Sequence, residues 1–439
     1  MSDEIDAFAR NGTMDLVPRQ PHHNVIGFSK AWPIQQLDVN NAFLQGTLNE
    51  EVDMEQPPGF IDSDKPSHVC RLRKAIYGLK EAPRAWYTEL KTFLISIGFN
   101  NSLSDTSLFV LKQGPHYIYL LVYVDDILVT GSSKEGITKI LTLLADRFSV
   151  KDLKDLNYFL GLEAYRTDQG LHLCQRKYIV DLLHRYNMQN AKPVSTPMAS
   201  HPKLSLTSSA TLKDPTSYRK LVGSLQYLAF TTLDIAYVVN HLSQFMHQPT
   251  EEHLQAAKRI LRYLAGTPTH GIFFFANNPL GIHAFSDADW AGDSDNYTST
   301  NAYIIYIGSH PVSWTAKKQR GVARSSTEAE YRVVANTAAE ISWACNVLTE
   351  LGITLPTKPV VYCDNIGTTF LCSNPVFHSR MKHIVVDYHF IRGQIQQGAL
   401  RVAHVHTKDQ LADTLTKPLP RPRFLELRDK IGVAEAPPS

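Results

Sequence analysis

Apolar residues follow two different periods along the chain, and these periods predict where its strands and helices lie. YIYLLVYV (117–124) and ILVT (127–130) are apolar runs rich in β-formers, so we predict two strands joined as a β-hairpin. Further upstream, apolar side chains recur with a helical period at positions 86, 90, 93, 94 and 97. The region from residue 36 to about 197 is therefore predicted to be an α+β unit.

The last part of the chain, from about residue 276 to 420, is predicted to have the order β-β-β-α-β-α-β-α. Its predicted strands are IHAFSD, AYIIYIG, PVSWTAK, PVVYCDN and LRVAHVH. A long helix, STEAEYRVVANTAAEISWACNVLTELG, follows the third strand, and a final helix is predicted over QLADTLTK. The apolar stripe of the long helix predicts packing against the sheet, and it consists of Tyr331, Val334, Ala335, Ala338, Ile341, Cys345 and Leu348.

A stretch rich in serine, threonine and proline separates the two parts at residues 193–217, and its composition is typical of an exposed linker. Residues 218–266 have the pattern of helices. In the last of these helices Lys258, Arg259 and Arg262 share one face, which is typical of a solvated surface and would also suit phosphate binding.

Composition limits the class of protein. The chain has 439 residues, 43% of them hydrophobic, which is enough for two or three domains. With 44 basic and 42 acidic residues the net charge is only +2, so any nucleic-acid surface must be local. Five cysteines without a CxxC pair argue against a disulfide framework and against a thiolate zinc site. No apolar run approaches the ~20 residues of a membrane span, and no signal peptide is present, so we expect a soluble intracellular protein.

Two adjacent carboxylates, Asp125 and Asp126, lie between the apolar runs of the predicted hairpin. Like charges side by side raise each other's pKa unless a cation neutralises them, and a divalent ion does so where phosphates are handled. Asp-Asp is also a common turn, so both interpretations stay open at this point. Asp38 ends the strand-like QQLDV and is able to meet Asp125 across adjacent strands.

A second acidic set lies in the last part of the chain. Its members are placed at strand ends or near helix starts, and they are Asp287, Glu330, Asp364 and Asp413. Phosphodiester chemistry with two divalent ions needs several convergent carboxylates of this kind. Each residue taken alone is as readily explained as a turn or cap residue.

Twelve strings in order carry a resemblance to a known family: QLDVNNAFLQG, EQPPGF, LRKAIYGLKEAPRAWY, YVDDILVTG, YFLGLEA, VGSLQYLAF, RYLAGT, SDADWAGD, SSTEAEY, YCDN, KHIVVDYHFIR and QLADTLTKPL. Together they resemble the reverse transcriptase and ribonuclease H portion of a copia-type LTR retrotransposon Pol polyprotein, and among these the plant elements. The resemblance extends from Ala31 to Val433.

The resemblance implies an α+β reverse transcriptase palm, a helical connection and an α/β ribonuclease H-like domain with a mixed sheet. On that basis we expect a remnant lead-in at 1–30 and a palm with incomplete fingers at 31–197. A linker and helical thumb or connection would follow at 198–275, the ribonuclease H-like domain at 276–420, and a tail at 421–439.

The resemblance also implies roles for individual residues. Asp38 and Asp125 would hold two magnesium ions at the polymerase site, with Asp126 supporting them. Two further ions, magnesium or manganese, would be held at the ribonuclease H site by Asp287, Glu330, Asp364 and Asp413. Contacts to nucleotide or nucleic acid are implied for Lys80, Glu81, Arg84, Tyr123, Arg259 and Arg262.

Glu328 competes with Glu330 for the place in the ribonuclease H site. Residues two apart on a helix point to different faces, so only one of them can face the metal. Ser325 with Glu328 fits a capping box, which would leave Glu330 for the metal. Thr327 capping with Glu330 is the mirror alternative.

The chain departs from the family pattern ahead of Asp38. A long fingers segment with a basic hairpin that holds the nucleotide triphosphate is absent, as though deleted near Gly27 to Lys30, and only Arg10, Arg19 and Lys30 are strongly basic there. The family usually has glutamine in GLKQAP where this chain has Glu81, and by resemblance that position borders the nucleotide. A carboxylate there would repel phosphate unless it bound a metal or stayed protonated.

We therefore expect an enzyme by family, with reverse transcriptase activity impaired and the ribonuclease H carboxylates complete. Its implied partners are RNA template, DNA primer, RNA–DNA hybrid and deoxynucleoside triphosphates, with no membrane, and the sequence leaves the oligomeric state open. The family implies a cytoplasmic virus-like particle, or the nucleus. The alternatives are a non-catalytic remnant that binds RNA or hybrid, and a pseudogene product.

Overall fold

A computed structural model of the chain describes residues 32–207, 209–229, 231–276, 278–374 and 384–435. The lead-in assigned to residues 1–30, and with it the expected deletion near Gly27 to Lys30, lies outside the described residues. The last four residues of the expected tail also lie outside them. Among the described residues, none of the helices has the length and apolarity required to span a bilayer.

The first part of the chain forms a six-stranded sheet with two helices and a separate hairpin. Its elements are β1 (Ile34–Val39), β2 (Thr47–Glu55), β3 (Val69–Lys74), α1 (Ala82–Ser96), β4 (Asn100–Asn101), β5 (Leu108–Gln113), β6 (His116–Tyr123), β7 (Asp126–Gly131), α2 (Lys134–Arg147) and β8 (Val150–Asp155). The sheet order is β4-β5-β6-β7-β1-β8, and β2 pairs with β3 apart from it. The predicted hairpin is thus confirmed as β6 and β7.

The helix predicted from the apolar period is α1. Trp86, Leu90 and Leu94 on its periodic face are buried, in one core with Leu37 of β1 and Ile127 of β7. The helix ends because Gly98 takes φ +99°, a left-handed conformation that favours glycine, while its N–H bonds the carbonyl of residue 95. This packing places the start of α1 beside the β6–β7 turn.

A second sheet and a helical layer follow. Their elements are β9 (Tyr158–Phe159), β10 (Leu162–Thr167), β11 (Gly170–Cys174), α3 (Arg176–Arg185), α4 (Thr216–Ala229), α5 (Ala236–Ser243), α6 (Glu251–Ala265) and β12 (His270–Phe275). The sheet order is β18-β12-β11-β10-β9, where β18 (Val433–Glu435) comes from the far end of the chain. Segments distant in sequence therefore complete one sheet.

The stretch at residues 193–217 is not uniformly exposed, so the linker prediction is wrong in that respect. Thr196 and Met198 are buried, and Met198 and Leu204 belong to the core of the helical layer. Arg259 of α6 donates a hydrogen bond to Thr196 Oγ1 within this stretch. Arg262 of α6 donates to the carbonyl of Lys192, just before it. The average composition of the stretch does not show these few apolar and hydrogen-bonding residues.

The last part of the chain forms the predicted mixed sheet. Its elements are β13 (Ile282–Asp289), β14 (Thr300–Ile307), β15 (His310–Lys318), α7 (Ser326–Glu350), β16 (Val360–Cys363), α8 (Ile366–Ser373), α9 (Val385–Gln396), β17 (Arg401–His404) and α10 (Arg421–Lys430). The order is β15-β14-β13-β16-β17, with β13, β16 and β17 parallel and the others antiparallel. The apolar stripe of α7 packs on this sheet as predicted.

The prediction of a final helix over QLADTLTK (410–417) is wrong. A 3-10 helix, Leu411–Leu415, takes its place after another 3-10 helix at Thr407–Asp409, and the last α-helix is α10. Pro418 follows within a few residues and disfavours the helical conformation of the residue before it. The segment is thus too short to continue as an α-helix.

The end of α7 docks on the first sheet. Glu350 accepts hydrogen bonds from the Leu103 and Ser104 N–H groups, both at 3.1 Å, and from Ser104 Oγ at 2.6 Å. Trp343 Nε1 donates to the Ser104 carbonyl at 2.8 Å, and Tyr119 Oη donates to the Leu351 carbonyl at 2.6 Å. These bonds fix the mixed sheet relative to the β6–β7 hairpin.

Replacing Glu350 by glutamine should weaken this contact. Partial burial would raise the pKa of Glu350, but hydrogen bonds from Ser102, Ser104 and Leu103 outweigh it and lower the pKa. A lowered carboxylate pKa adds stability above the unfolded pKa that is lost as pH falls through the folded pKa. We expect a loss of about 1 kcal/mol at neutral pH, measured by denaturant unfolding. The difference between the two proteins should disappear at acid pH, and a constant difference would contradict this account.

Candidate active sites

The first candidate centre lies at the end of β1 and the turn between β6 and β7. Asp38 stands directly opposite Asp126 in the antiparallel β1–β7 pair. Asp125 lies in the two-residue turn, and its carbonyl accepts the Val39 N–H at 3.0 Å. The fold thus brings together the three predicted polymerase carboxylates, although Asp38 is 87 residues before Asp125 in sequence.

The turn is held in a strained conformation. Val124 has φ +53°, which is unusual for a β-branched residue. The Trp86 indole donates to its carbonyl at 2.5 Å, while the ring packs edge-on against Phe148 in the core. Gln36 Nε2 donates to Asp126 Oδ1 at 3.2 Å. Buried neighbours therefore fix where the carboxylates point.

Tyr77 is a residue of this centre that the sequence did not single out. Its pKa is raised by partial burial and then by the charges of Asp125 and Asp38. Both carboxylates therefore act on one phenol, as expected if they face a common space. A divalent cation fits there, because oxygen donors from two strands and a turn meet at one edge.

The residues predicted to contact nucleotide fall into two places. Lys80, Glu81 and Arg84 lie at the start of α1, where Arg84 Nη1 is 4.0 Å from Glu81 Oε2 in an exposed pair. Tyr123 ends β6 beside the turn and is 42% exposed. Arg259 and Arg262 instead bind the stretch near residues 192–196, so their bonds are structural ones.

The second candidate centre lies where the parallel strands of the mixed sheet end. Asp287 is near the end of β13, Asp364 directly follows β16, and Glu330 lies in the second turn of α7. Ligand atoms of Glu330, Cys363 and Asp364 lie within 4.8 Å of one another. Asp413, in the second 3-10 helix, pairs with the same lysine as Asp287, Lys417. All four predicted carboxylates of this site are thus close neighbours.

Glu330 is the buried member of the set, with 5% of its surface exposed. Its Oε1 accepts the Ala288 N–H at 3.0 Å, and its Oε2 accepts the Cys363 thiol at 3.5 Å. Burial raises its pKa well above the usual value, and Asp287 and Asp364 raise it further. Convergent like charges of this kind are stable together only with added positive charge or protons.

Glu328 faces another direction. The predicted cap is present, because Ser325 Oγ accepts the Glu328 N–H at 3.2 Å. The Glu328 carboxylate accepts the Arg324 N–H at 2.9 Å and pairs with Arg332, also at 2.9 Å. Glu328 therefore stabilises the start of α7, and Glu330 points into the second centre.

Lys417 is the second residue that the sequence missed. Its Nζ lies 2.6 Å from Asp413 Oδ1 and 3.8 Å from Asp287 Oδ2, and Thr416 Oγ1 donates to Asp287. Burial would lower the pKa of Lys417, but the charges of Asp287 and Asp413 outweigh it and raise the pKa. Burial, Asp287 and Asp364 raise the pKa of Asp413 to about 6, against the effect of Lys417. In the sequence, the spacing of four residues between Asp413 and Lys417 was the signal that could have identified Lys417.

The donor set suits a hard divalent cation. Carboxylate oxygens are the ligands that magnesium and manganese prefer. Cys363 is a poor ligand, because burial and the Glu330 charge raise the pKa of its thiol and keep it protonated. The arrangement can therefore bind a divalent ion through Glu330, Asp364 and Asp287, with Lys417 supplying a fixed positive charge beside Asp413.

Comparison with known proteins gives relatives over nearly the whole chain. The family described as "Reverse transcriptase (RNA-dependent DNA polymerase)" matches residues 24–200. The retrovirus-related Pol polyprotein from transposon RE1 of Arabidopsis thaliana is 66% identical over 94% of this chain and 28% of that protein. The putative transposon Ty5-1 protein of Saccharomyces cerevisiae is 34% identical over 70% of this chain and 100% of that protein. The chain thus spans just over a quarter of the Arabidopsis relative.

A solved structure shares the fold. The foamy viral protease-reverse transcriptase in complex with RNA/DNA hybrid matches with a TM-score of 0.50 and 13% identity, over 88% of this chain and 46% of that one. This likeness confirms the predicted fold class, a reverse transcriptase palm followed by a connection and a ribonuclease H-like domain.

Proposed function

The chain belongs to the copia-type retrotransposon Pol family, which joins a reverse transcriptase to a ribonuclease H, and from that premise we propose that it cleaves the RNA strand of RNA–DNA hybrids while polymerising poorly. The observation that carries the proposal is the second centre. There burial and the charges of Asp287 and Asp364 raise the pKa of Glu330 and of Asp413. Such a set of carboxylates destabilises the folded state unless a cation binds to it.

Each residue of this centre has a proposed role. Asp287, Glu330 and Asp364 would hold magnesium, and Asp413 would complete the set. Magnesium held by these residues would supply an activated water and would neutralise charge on the oxygen that leaves the scissile phosphate. The chain itself orients Glu330 through the Ala288 N–H and orients Asp287 through Thr416. Lys417 holds its proton and lowers the local negative charge, which favours approach of a phosphate.

We propose the weaker activity for the first centre. Asp38, Asp125 and Asp126 are positioned for magnesium, but we propose that the family's basic fingers hairpin is missing ahead of Asp38, where the sequence has only Arg10, Arg19 and Lys30 as strongly basic residues. Glu81 adds a negative charge at the start of α1. This end of the helix lies near the β6–β7 turn, because Trp86, about one turn further along, donates to the Val124 carbonyl. A triphosphate without fixed cations around its outer phosphates binds weakly and is poorly aligned. The nucleotide, primer and template are therefore proposed partners of low affinity.

Primer extension tests this part of the proposal. We expect the purified chain to extend a DNA primer on RNA at no more than background rate in magnesium, and the Asp125→Asn variant to give the same background. Asp181→Asn, which changes an exposed aspartate of α3, is the matched control for the substitution. Extension that the wild-type chain and Asp181→Asn share and that Asp125→Asn loses would show a working polymerase.

A further inference from the structure

A cleft of about 720 Å³ lies on the mixed sheet, and none of the site carboxylates is among its lining residues. Side chains alternate between the two faces of a strand. Ala284 and Val361 face the core beneath α7, so their neighbours His283, Phe285 and Tyr362 face the opposite side and line the cleft. His283 is four residues before Asp287 on β13, about 13 Å along the strand, whereas Phe285 and Tyr362 are two residues before Asp287 and Asp364. The cleft thus extends along the same strands from the second centre, without including its carboxylates.

The floor of the cleft is aromatic. The rings of Phe285 and Tyr362 lie 5.2 Å apart, and His283 stacks on the buried Tyr306 at 5.0 Å with their planes 4° apart. Phe285, Tyr362 and His283 are partly exposed. Burial lowers the pKa of His283, so its ring is neutral at physiological pH. The floor therefore offers flat, uncharged surfaces on which another ring could stack.

The rim of the cleft is basic. Lys358 and Arg401 are exposed, and Arg401 stands beside Val360 in the parallel β16–β17 pair. Neither side chain forms a hydrogen bond or ion pair with another described residue. The one acid of the lining, Asp409, lies 3.6 Å from Lys430. The rim therefore has two available cations and one acid that is already paired.

Stacking surfaces beside unpaired cations are the chemistry that recognises single-stranded nucleic acid. Each base can stack on an aromatic side chain, and each phosphate can bind a lysine or arginine. A duplex buries its base faces and would offer only phosphates. We propose that this cleft binds unpaired nucleotides of single-stranded nucleic acid. The inference does not depend on hybrid cleavage, since binding at the cleft requires none of the carboxylates.

Fluorescence anisotropy tests the proposal in the full chain. Labelled single-stranded oligouridine and oligodeoxythymidine are titrated with protein in EDTA, so that cleavage does not contribute. We expect Tyr362→Ala to weaken binding about tenfold, the loss typical of one stacked base. The Lys358→Glu, Arg401→Glu double variant should weaken it at least tenfold and lower its salt dependence. Weakening of both oligonucleotides assigns the cleft to either nucleic acid, and weakening of only the ribose form assigns it to RNA.

Two controls keep the test decisive. Lys213→Glu and Lys139→Glu together make the same charge change at exposed positions distant in sequence, and they should bind as wild type does. Thermal melts identify variants that do not fold, and for those Tyr362→Leu replaces Tyr362→Ala. Equal losses in the control double variant, full competition by blunt duplex, or unchanged binding in the cleft variants would each overturn the proposal.

Discussion

Replacing Glu330 by glutamine is expected to abolish magnesium-dependent cleavage of RNA in a hybrid and, in the same protein, to stabilise the metal-free fold. The cleavage loss should be at least about 100-fold, because even partners of metal ligands typically contribute 10- to 100-fold. The gain in stability follows from the raised pKa of Glu330, which burial, Asp287 and Asp364 cause. Glutamine keeps an oxygen for the Ala288 N–H and removes the buried charge.

The stability gain has a definite pH dependence. A carboxylate whose folded pKa is raised favours folding below its unfolded pKa and loses that contribution as pH rises through the folded pKa. The glutamine variant has no such loss. Its advantage in EDTA should therefore grow from acid to neutral pH, to about 1–3 kcal/mol. Denaturant unfolding at several pH values measures it.

Glu328→Gln is the matched control, since the same change lies two residues earlier on α7. It should leave cleavage nearly intact, because Glu328 faces Arg332 and the Arg324 N–H. Its stability should fall, since an ion pair and a charged acceptor are lost. Cleavage lost in Glu328→Gln and kept in Glu330→Gln would reverse the assignment of the two glutamates.

Replacing Lys417 by methionine is expected to destabilise the metal-free protein and to increase the stabilisation that magnesium gives. Removing one partner of a buried ion pair typically costs 3–5 kcal/mol, and we expect about 1–3 kcal/mol because more than a third of the Lys417 side chain is exposed. The loss arises because Asp413 and Asp287 keep their charges without the ammonium. A bound ion can then replace that charge.

Melting in EDTA and in excess magnesium checks this result. Lys430→Met is the control, because its pairs with Glu426 and Asp409 are on the surface and should be worth little. A Lys417→Met protein whose melting in EDTA equals that of Lys430→Met would contradict the role given to Lys417.

Local patterns were sufficient to predict most of the scaffold. The period that includes Trp86 and Leu90 predicted α1, and the stripe from Tyr331 to Leu348 predicted the packing of α7. These elements are set by side chains close in sequence, which a single sequence contains. The 3-10 turns around Asp413 were mispredicted, because proline and tertiary packing shortened a segment with a helical period.

The sequence identified site residues only where they belong to a recognisable motif. Carboxylates at strand ends could be collected as candidates, and the family resemblance grouped them. Tyr77 and Lys417 could not be found this way, because their roles depend on which distant charges surround them. The contacts of Arg259 and Arg262 likewise depend on where the 192–196 segment returns to α6. Such assignments require the tertiary structure.

One coupled reaction tests the central claim most directly. The purified chain is given a labelled RNA template annealed to a differently labelled DNA primer, with magnesium and all four nucleotides, beside the Glu330→Gln and Asp125→Asn variants. The account predicts RNA cleavage that Glu330→Gln abolishes and Asp125→Asn leaves intact, with primer extension at background. Intact RNA with the wild-type chain, or extension that Asp125→Asn abolishes, would contradict it.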